Sequence, residues 1–113
     1  MRYFVVLLFL ANSLPAFASV SVGDLNKSCS EKMLVYSRAG GIVGEKVDSY
    51  CAGYLQATAE ALQRRTTCAN EIDNDPNFLR SVFQKYMTEK KVKSTDNAAA
   101  TLATAFQRAF DCK

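Results

Sequence analysis

The chain contains no histidine. Its absence removes the commonest general base near neutral pH, and with it the Ser–His and Cys–His pairings of nucleophilic catalysis. Proline is scarce: of two in 113 residues, Pro15 lies near the N-terminus and Pro76 stands where a helix can begin. No two cysteines are spaced Cys-x-x-Cys, and the four present lie 22, 17 and 44 positions apart, which suits no tetrahedral zinc set. No apolar run is long enough to cross a bilayer; the run from Tyr3 to Ala11 is followed by Asn12, Ser13 and Pro15. Neither sign of charge dominates, and no stripe of Lys or Arg interleaved with aromatics is present, which argues against a nucleic-acid partner. Ala39-Gly40-Gly41-Ile42-Val43-Gly44 is glycine-rich, but its spacing fits neither the dinucleotide nor the P-loop template, and no Lys-Ser/Thr pair follows.

What is present begins with an address. Residues 1–18 have the parts of a secretory signal peptide: Arg2, the apolar run Tyr3 to Ala11, and the small-x-small site Ala16-Phe17-Ala18. Cleavage there leaves residues 19–113 as one domain, with thirteen basic residues against eleven acidic. Four cysteines in an exported chain of this size read as two disulfides. A core this small is marginal alone, and each bridge contributes roughly 2–4 kcal/mol.

The apolar spacing predicts an all-α fold, a compact bundle of four main helices stapled by those disulfides. Ser19 to Gly23 is expected as an extended arm. The first helix is expected from Asp24 to about Arg38, on Leu25, Cys29, Met33 and Tyr36. The glycines at 40, 41 and 44 then break it. The central helix, about Glu45 to Arg65, carries a broad face at Val47, Tyr50, Cys51, Tyr54, Leu55, Thr58 and Leu62. Gly53 within it either permits close approach of a neighbouring helix or is a tolerated defect. Asp75-Pro76 is a strong start signal for a third helix to about Glu89, and Ser94 or Thr95 is expected to cap a fourth, ending near Phe110.

This layout constrains the bridges. Pairing Cys51 with Cys68 would span a helix of roughly 25 Å, beyond bonding reach. In an up-down-up-down bundle the second and fourth helices run parallel, so their C-terminal ends meet. That predicts Cys68–Cys112, leaving Cys29–Cys51 across the first hairpin.

Catalytic equipment is poor. Glu71, Asp73 and Asp75 are carboxylates on one short loop, whereas glycoside hydrolysis needs two held across a cleft. As a calcium loop the segment fails, because Pro76 and Phe78 fall at later ligand positions and no glutamate closes it. The expectation is therefore no enzyme, no metal and no cofactor. Eight aromatics, among them Tyr36, Tyr50, Phe78 and Tyr86, exceed what four short helices bury, which points to a partner or homodimer surface.

The core Cys51-Ala52-Gly53-Tyr54-Leu55, preceded by an exported N-terminus and Cys29, resembles the Rap/Tai family of type VI secretion amidase immunity proteins. Val82-Phe83-Gln84-Lys85-Tyr86 after Cys68 also fits, as does the ending from Ala98 through Phe106 to Phe110-Asp111-Cys112. The resemblance implies a small helical periplasmic protein of a Gram-negative cell, often a homodimer. It implies that the protein blocks a papain-like cysteine amidase, injected by neighbours to cut peptidoglycan peptides. By that analogy the third helix docks through Arg80, Gln84 and Lys85, and the acidic loop Asn70–Asn74, with Glu71, Asp73 and Asn74, plugs the active site. The loop Glu89–Ser94 is the rival plug. A periplasmic acid-stress chaperone, or another small disulfide-bonded envelope binding protein, is the alternative.

Overall fold

A computed structural model describes residues 20–113, so the expected signal peptide and cleavage site lie outside the described residues. The first helix, α1, covers Val22–Ser30 and begins earlier than the sequence suggests. Ser21, not Asp24, is its cap, with Oγ accepting from the Asp24 N–H at 3.1 Å. Of the expected extended arm, Ser21 is extended and bridges to Asn97, whereas Val22 and Gly23 already belong to the helix. Val22, Leu25 and Cys29 are buried at helical spacing.

Beyond Ser30 the expectation of an all-α bundle fails. Lys32–Tyr36 is a strand, β1, and Ile42–Val47 a second, β2, paired antiparallel with it. The fold is α+β: four helices and one two-stranded sheet among the described residues. Val35, Tyr36, Ile42 and Val43 are β-branched or aromatic and favour extended backbone. Ser37–Gly41 closes the turn, with the Ser37 N–H donating to the Gly41 carbonyl at 2.7 Å. Gly40 adopts φ 90°, a conformation that side chains disfavour. Met33 and Tyr36, which extend the spacing of Leu25 and Cys29, therefore lie on a hairpin.

The central helix, α2, runs Ser49–Arg65 and starts four residues later than expected. Asp48 caps it, Oδ2 accepting from the N–H groups of Tyr50 and Cys51 at 3.1 and 3.3 Å. It buries Cys51, Leu55 and Ala59, one residue per turn. Helix α3 is Pro76–Lys90, capped by Asp75 with Pro76 in the first turn, as the sequence indicates. It stops at Lys91, whose backbone is left-handed. Helix α4 is Ala98–Ala109, and its cap is Asn97 rather than Ser94 or Thr95.

Phe83 and Phe106 are the largest fully buried side chains, with Leu25, Leu55, Leu79 and Leu102 around them. Both expected disulfides are present. The route to Cys29–Cys51 differs: α1 ends just past Cys29, and the hairpin returns the chain to the first turn of α2. At the other pole, Thr67 and Lys113 exchange backbone hydrogen bonds of 3.1 and 2.7 Å beside Cys68–Cys112. Helices α2 and α4 thus end side by side, as parallel helices must. Gly53 does not admit a neighbour; a methyl group there would meet nothing within 4 Å.

Candidate functional site

The acidic loop between α2 and α3 is pinned to the body. Ile72 is buried within it. Gln56 Nε2 donates to the Asn74 carbonyl at 3.1 Å, and Asn74 Nδ2 to Glu60 at 3.4 Å. The Asp75 N–H donates to Asp73 Oδ1 at 3.1 Å. Asn74 is thus half-buried and engaged with α2, while Glu71 and Asp73 remain exposed. The loop presents two carboxylates from a fixed base. No group of three or more His, Cys, Asp or Glu among the described residues is placed to hold a metal.

The residues expected on the third helix divide between its flanks. Gln84 faces the crease between α1 and α3, beside Val22 and Met87. Arg80, one turn earlier, shares that side. Lys85 lines instead the groove between α3 and α4, with Phe78, Val82, Tyr86 and Arg108. The structure therefore does not gather Arg80, Gln84 and Lys85 into one patch. The α3–α4 groove has a volume of about 770 Å³. The Arg108 guanidinium lies 5.9 Å from the centre of the Tyr86 ring. Phe78, 42% exposed, rests against Phe110 at 6.0 Å between ring centres. Lys85 reaches Glu89 at 3.9 Å, an exposed pair of little energetic weight. The rival plug, Glu89–Ser94, is tied to α1: the Gly23 N–H donates to the Ser94 carbonyl at 2.8 Å.

A surface that the periodicity did not reveal is the hairpin. Met33, Leu34, Val35, Tyr36, Ile42 and Val43 are between 37% and 64% exposed, and of both strands only Val47 is buried. Lys32 and Glu45 bridge the strands at 3.3 Å. Ser49, opening α2, donates to the Met33 sulfur at 3.6 Å and fixes the hairpin's root. Composition was the usable signal: β-branched and aromatic pairs on either side of a Gly-Gly turn. Nearby on α2, the rings of Tyr50 and Tyr54 are 6.2 Å apart. Burial first, and Tyr50 second, push the Tyr54 hydroxyl above the usual tyrosine value.

A family model described as Rap1a immunity proteins matches residues 21–112. No curated protein matches the chain, and no solved structure does.

Proposed function

The chain belongs to the Rap1a immunity protein family, and from that membership we propose that it binds and inhibits a secreted peptidoglycan amidase of the papain-like cysteine type. Membership implies an immunity protein that binds a cognate effector, and a binding rather than an enzymatic role. Two disulfides point to an exported protein. No helix among the described residues is long and apolar enough to cross a membrane. The periplasm is the compartment where such an effector meets peptidoglycan.

Inhibition here is steric. The match over residues 21–112 carries the reading, and the pinned acidic loop gives it a physical form. Glu71 and Asp73 project from a segment already fixed by Ile72 and Asn74, so little ordering entropy is lost on docking. A papain-like site offers an imidazolium and oxyanion-hole N–H groups, both complementary to a carboxylate. Phe78 and the α3–α4 groove with Lys85 supply adjoining area. Arg80 and Gln84, on the opposite flank of α3, take part only if the footprint wraps that helix. A second copy of the chain is the other partner in this reading.

The test is an amidase assay with the effector encoded beside this protein. The wild-type chain should form a stable complex and stop peptide-bond cleavage. Replacing Glu71 and Asp73 together by Ala should weaken inhibition by about tenfold or more, since two charge-assisted contacts are lost, while far-UV circular dichroism shows the helices kept despite the lost Asp75 N–H contact to Asp73. No complex with any adjacent amidase would refute the reading; unchanged inhibition by the double variant would move the plug elsewhere.

A further inference from the structure

We propose that the β1–β2 hairpin rests the protein on an anionic phospholipid bilayer, lying in the headgroup–acyl boundary without spanning it. The inference goes beyond the function proposed above and does not depend on it. Successive side chains of a strand point to opposite faces, so Met33 and Val35 share one face of β1, and Leu34 and Tyr36 the other. All four are exposed, and towards the tip Tyr36, Ile42 and Val43 reach 60%, 62% and 64%. The six exposed apolar side chains of the hairpin offer on the order of 500 Å², near the upper size of patches on monomers. A protein docked flat on such a sheet covers one face and leaves the other in water. A sheet is about 10 Å thick, and surface-lying segments enter the boundary by about 5–10 Å, so lipid reaches both faces at once.

Charge favours an anionic surface. Between Lys32 and Glu45 the only charged residue is Arg38, exposed in the turn. Glu45 is bridged to Lys32, and Lys46 stands exposed beside it. From Lys32 to Val47 the hairpin thus brings three cations and one carboxylate. A guanidinium pairs with phosphate through two parallel hydrogen bonds, and each cation held at an anionic bilayer adds to the attraction. Tyr36 has the apolar body and polar tip that suit the boundary.

The turn is built to leave bulk water. The Ser37 N–H donates to the Gly41 carbonyl at 2.7 Å and the Gly40 N–H to the Ser37 carbonyl at 2.9 Å. The Gly41 N–H donates to Ser37 Oγ at 3.2 Å. Polar groups that would be costly to dehydrate at the tip are therefore satisfied within it. The outer edges of the two strands have no strand beside them, and their backbone groups still need water. That requirement holds the hairpin at headgroup depth, with Arg38 among the phosphates. Val47 is buried and Ser49 donates to the Met33 sulfur, so the root is fixed and the body follows the hairpin.

The chain has no tryptophan, so a single introduced one reports its own surroundings. On vesicles of phosphatidylcholine with about one-third phosphatidylglycerol, mature Tyr36→Trp chain should show blue-shifted emission that brominated lipid quenches. Phe78→Trp, on α3, should show neither. The wild-type chain should sediment with these vesicles, and bind phosphatidylcholine alone at least about tenfold more weakly. Arg38→Glu and Ile42→Asp should each weaken binding by about tenfold or more. Arg64→Glu, an equal change of charge on the exposed surface of α2, should cost less than about threefold. Far-UV circular dichroism checks that the variants keep the helices. A wild-type chain that stays in the supernatant overturns the proposal, as does unshifted emission from the conservative Tyr36→Trp variant. Equal losses in Arg38→Glu and Arg64→Glu would mark net charge alone as the attraction and overturn it too. So would hairpin variants that lose amidase binding or self-association while the wild-type chain ignores vesicles, since the hairpin then serves a protein partner. The vesicle assay uses no amidase, so its failure leaves the inhibitory reading standing.

Discussion

Removing the disulfides one at a time should rank them in an order that loop length alone does not give. Cys68–Cys112 closes a separation of 44 residues and Cys29–Cys51 one of 22. Chain entropy alone assigns them about 4 and about 3.4 kcal/mol. The loops do not overlap in sequence, so to first order these contributions are independent. Burial reverses the order. Cys29 and Cys51 are completely buried in the core, whereas Cys68 is partly exposed and Cys112 sits at its margin. Replacing two core sulfurs by alanine methyls adds a cavity cost of roughly 1 kcal/mol each. The Cys29→Ala/Cys51→Ala variant should therefore lose about 5 kcal/mol, against about 4 kcal/mol for Cys68→Ala/Cys112→Ala. Urea unfolding followed by far-UV circular dichroism measures both. Domains of this size hold 5–15 kcal/mol in all, so the core pair is the one whose removal should leave the chain largely unfolded in buffer. A Cys68→Ala/Cys112→Ala variant less stable than its counterpart by more than about 1 kcal/mol would refute the ranking, and with it the claim that core packing around Cys29–Cys51 outweighs loop closure.

Two glycines should respond to alanine with opposite signs. Gly53→Ala adds a methyl group to an open helix face and should stabilise by up to about 1 kcal/mol. At Gly23 the methyl would lie 3.1 Å from both Cβ and the carbonyl oxygen of Ser94, the same carbonyl that Gly23 N–H binds. Overpacking of about 1–3 kcal/mol should then outweigh the gain in helix propensity, and urea midpoints moving in the same direction would contradict the packing described. Tyr54 predicts an alkaline effect: its raised value means that the folded chain binds this proton more tightly than the unfolded chain. The stabilisation is complete below the ordinary tyrosine value near 10 and is lost as pH climbs through the raised folded value. Phenolate absorbance during alkaline titration should lose a component above the ordinary tyrosine value in Tyr54→Phe; a variant that keeps that component would count against it.

Helices α2 to α4 were legible because each buries one stripe. Leu55 and Ala59, Leu79 and Phe83, Leu102 and Phe106 recur at four residues and face one core. Asp75-Pro76 marked the start of α3 for a local reason, a carboxylate cap before a residue with no N–H to satisfy. The disulfides were legible because few arrangements of parallel and antiparallel helices bring four cysteines into reach. The hairpin was not, for two reasons. Met33 and Tyr36 happen to prolong the helical spacing of Leu25 and Cys29. Alternation between apolar and polar residues, the usual mark of a strand, arises only when one face is buried. Both faces of β1 lie outside the core, so burial left no pattern to read. The site residues on α3 divided for a related reason: Gln84 and Lys85 are adjacent in sequence but about 100° apart around the helix.

These positions bear on how the proposed surfaces coexist. Glu71 lies beside Gln63 and Thr66 near the end of α2, whereas the hairpin joins α2 at Ser49. Along the helix axis Ser49 and Gln63 are about 21 Å apart. A footprint on Glu71, Asp73 and Phe78 is therefore centred away from the exposed hairpin. The central helix separates the two surfaces and anchors both, through Cys51 at one end and the Cys68 segment at the other. Gly53, which looked like the point of close contact on this helix, faces open space. Its buried stripe of Cys51, Leu55 and Ala59 is what fixes the distance between the surfaces.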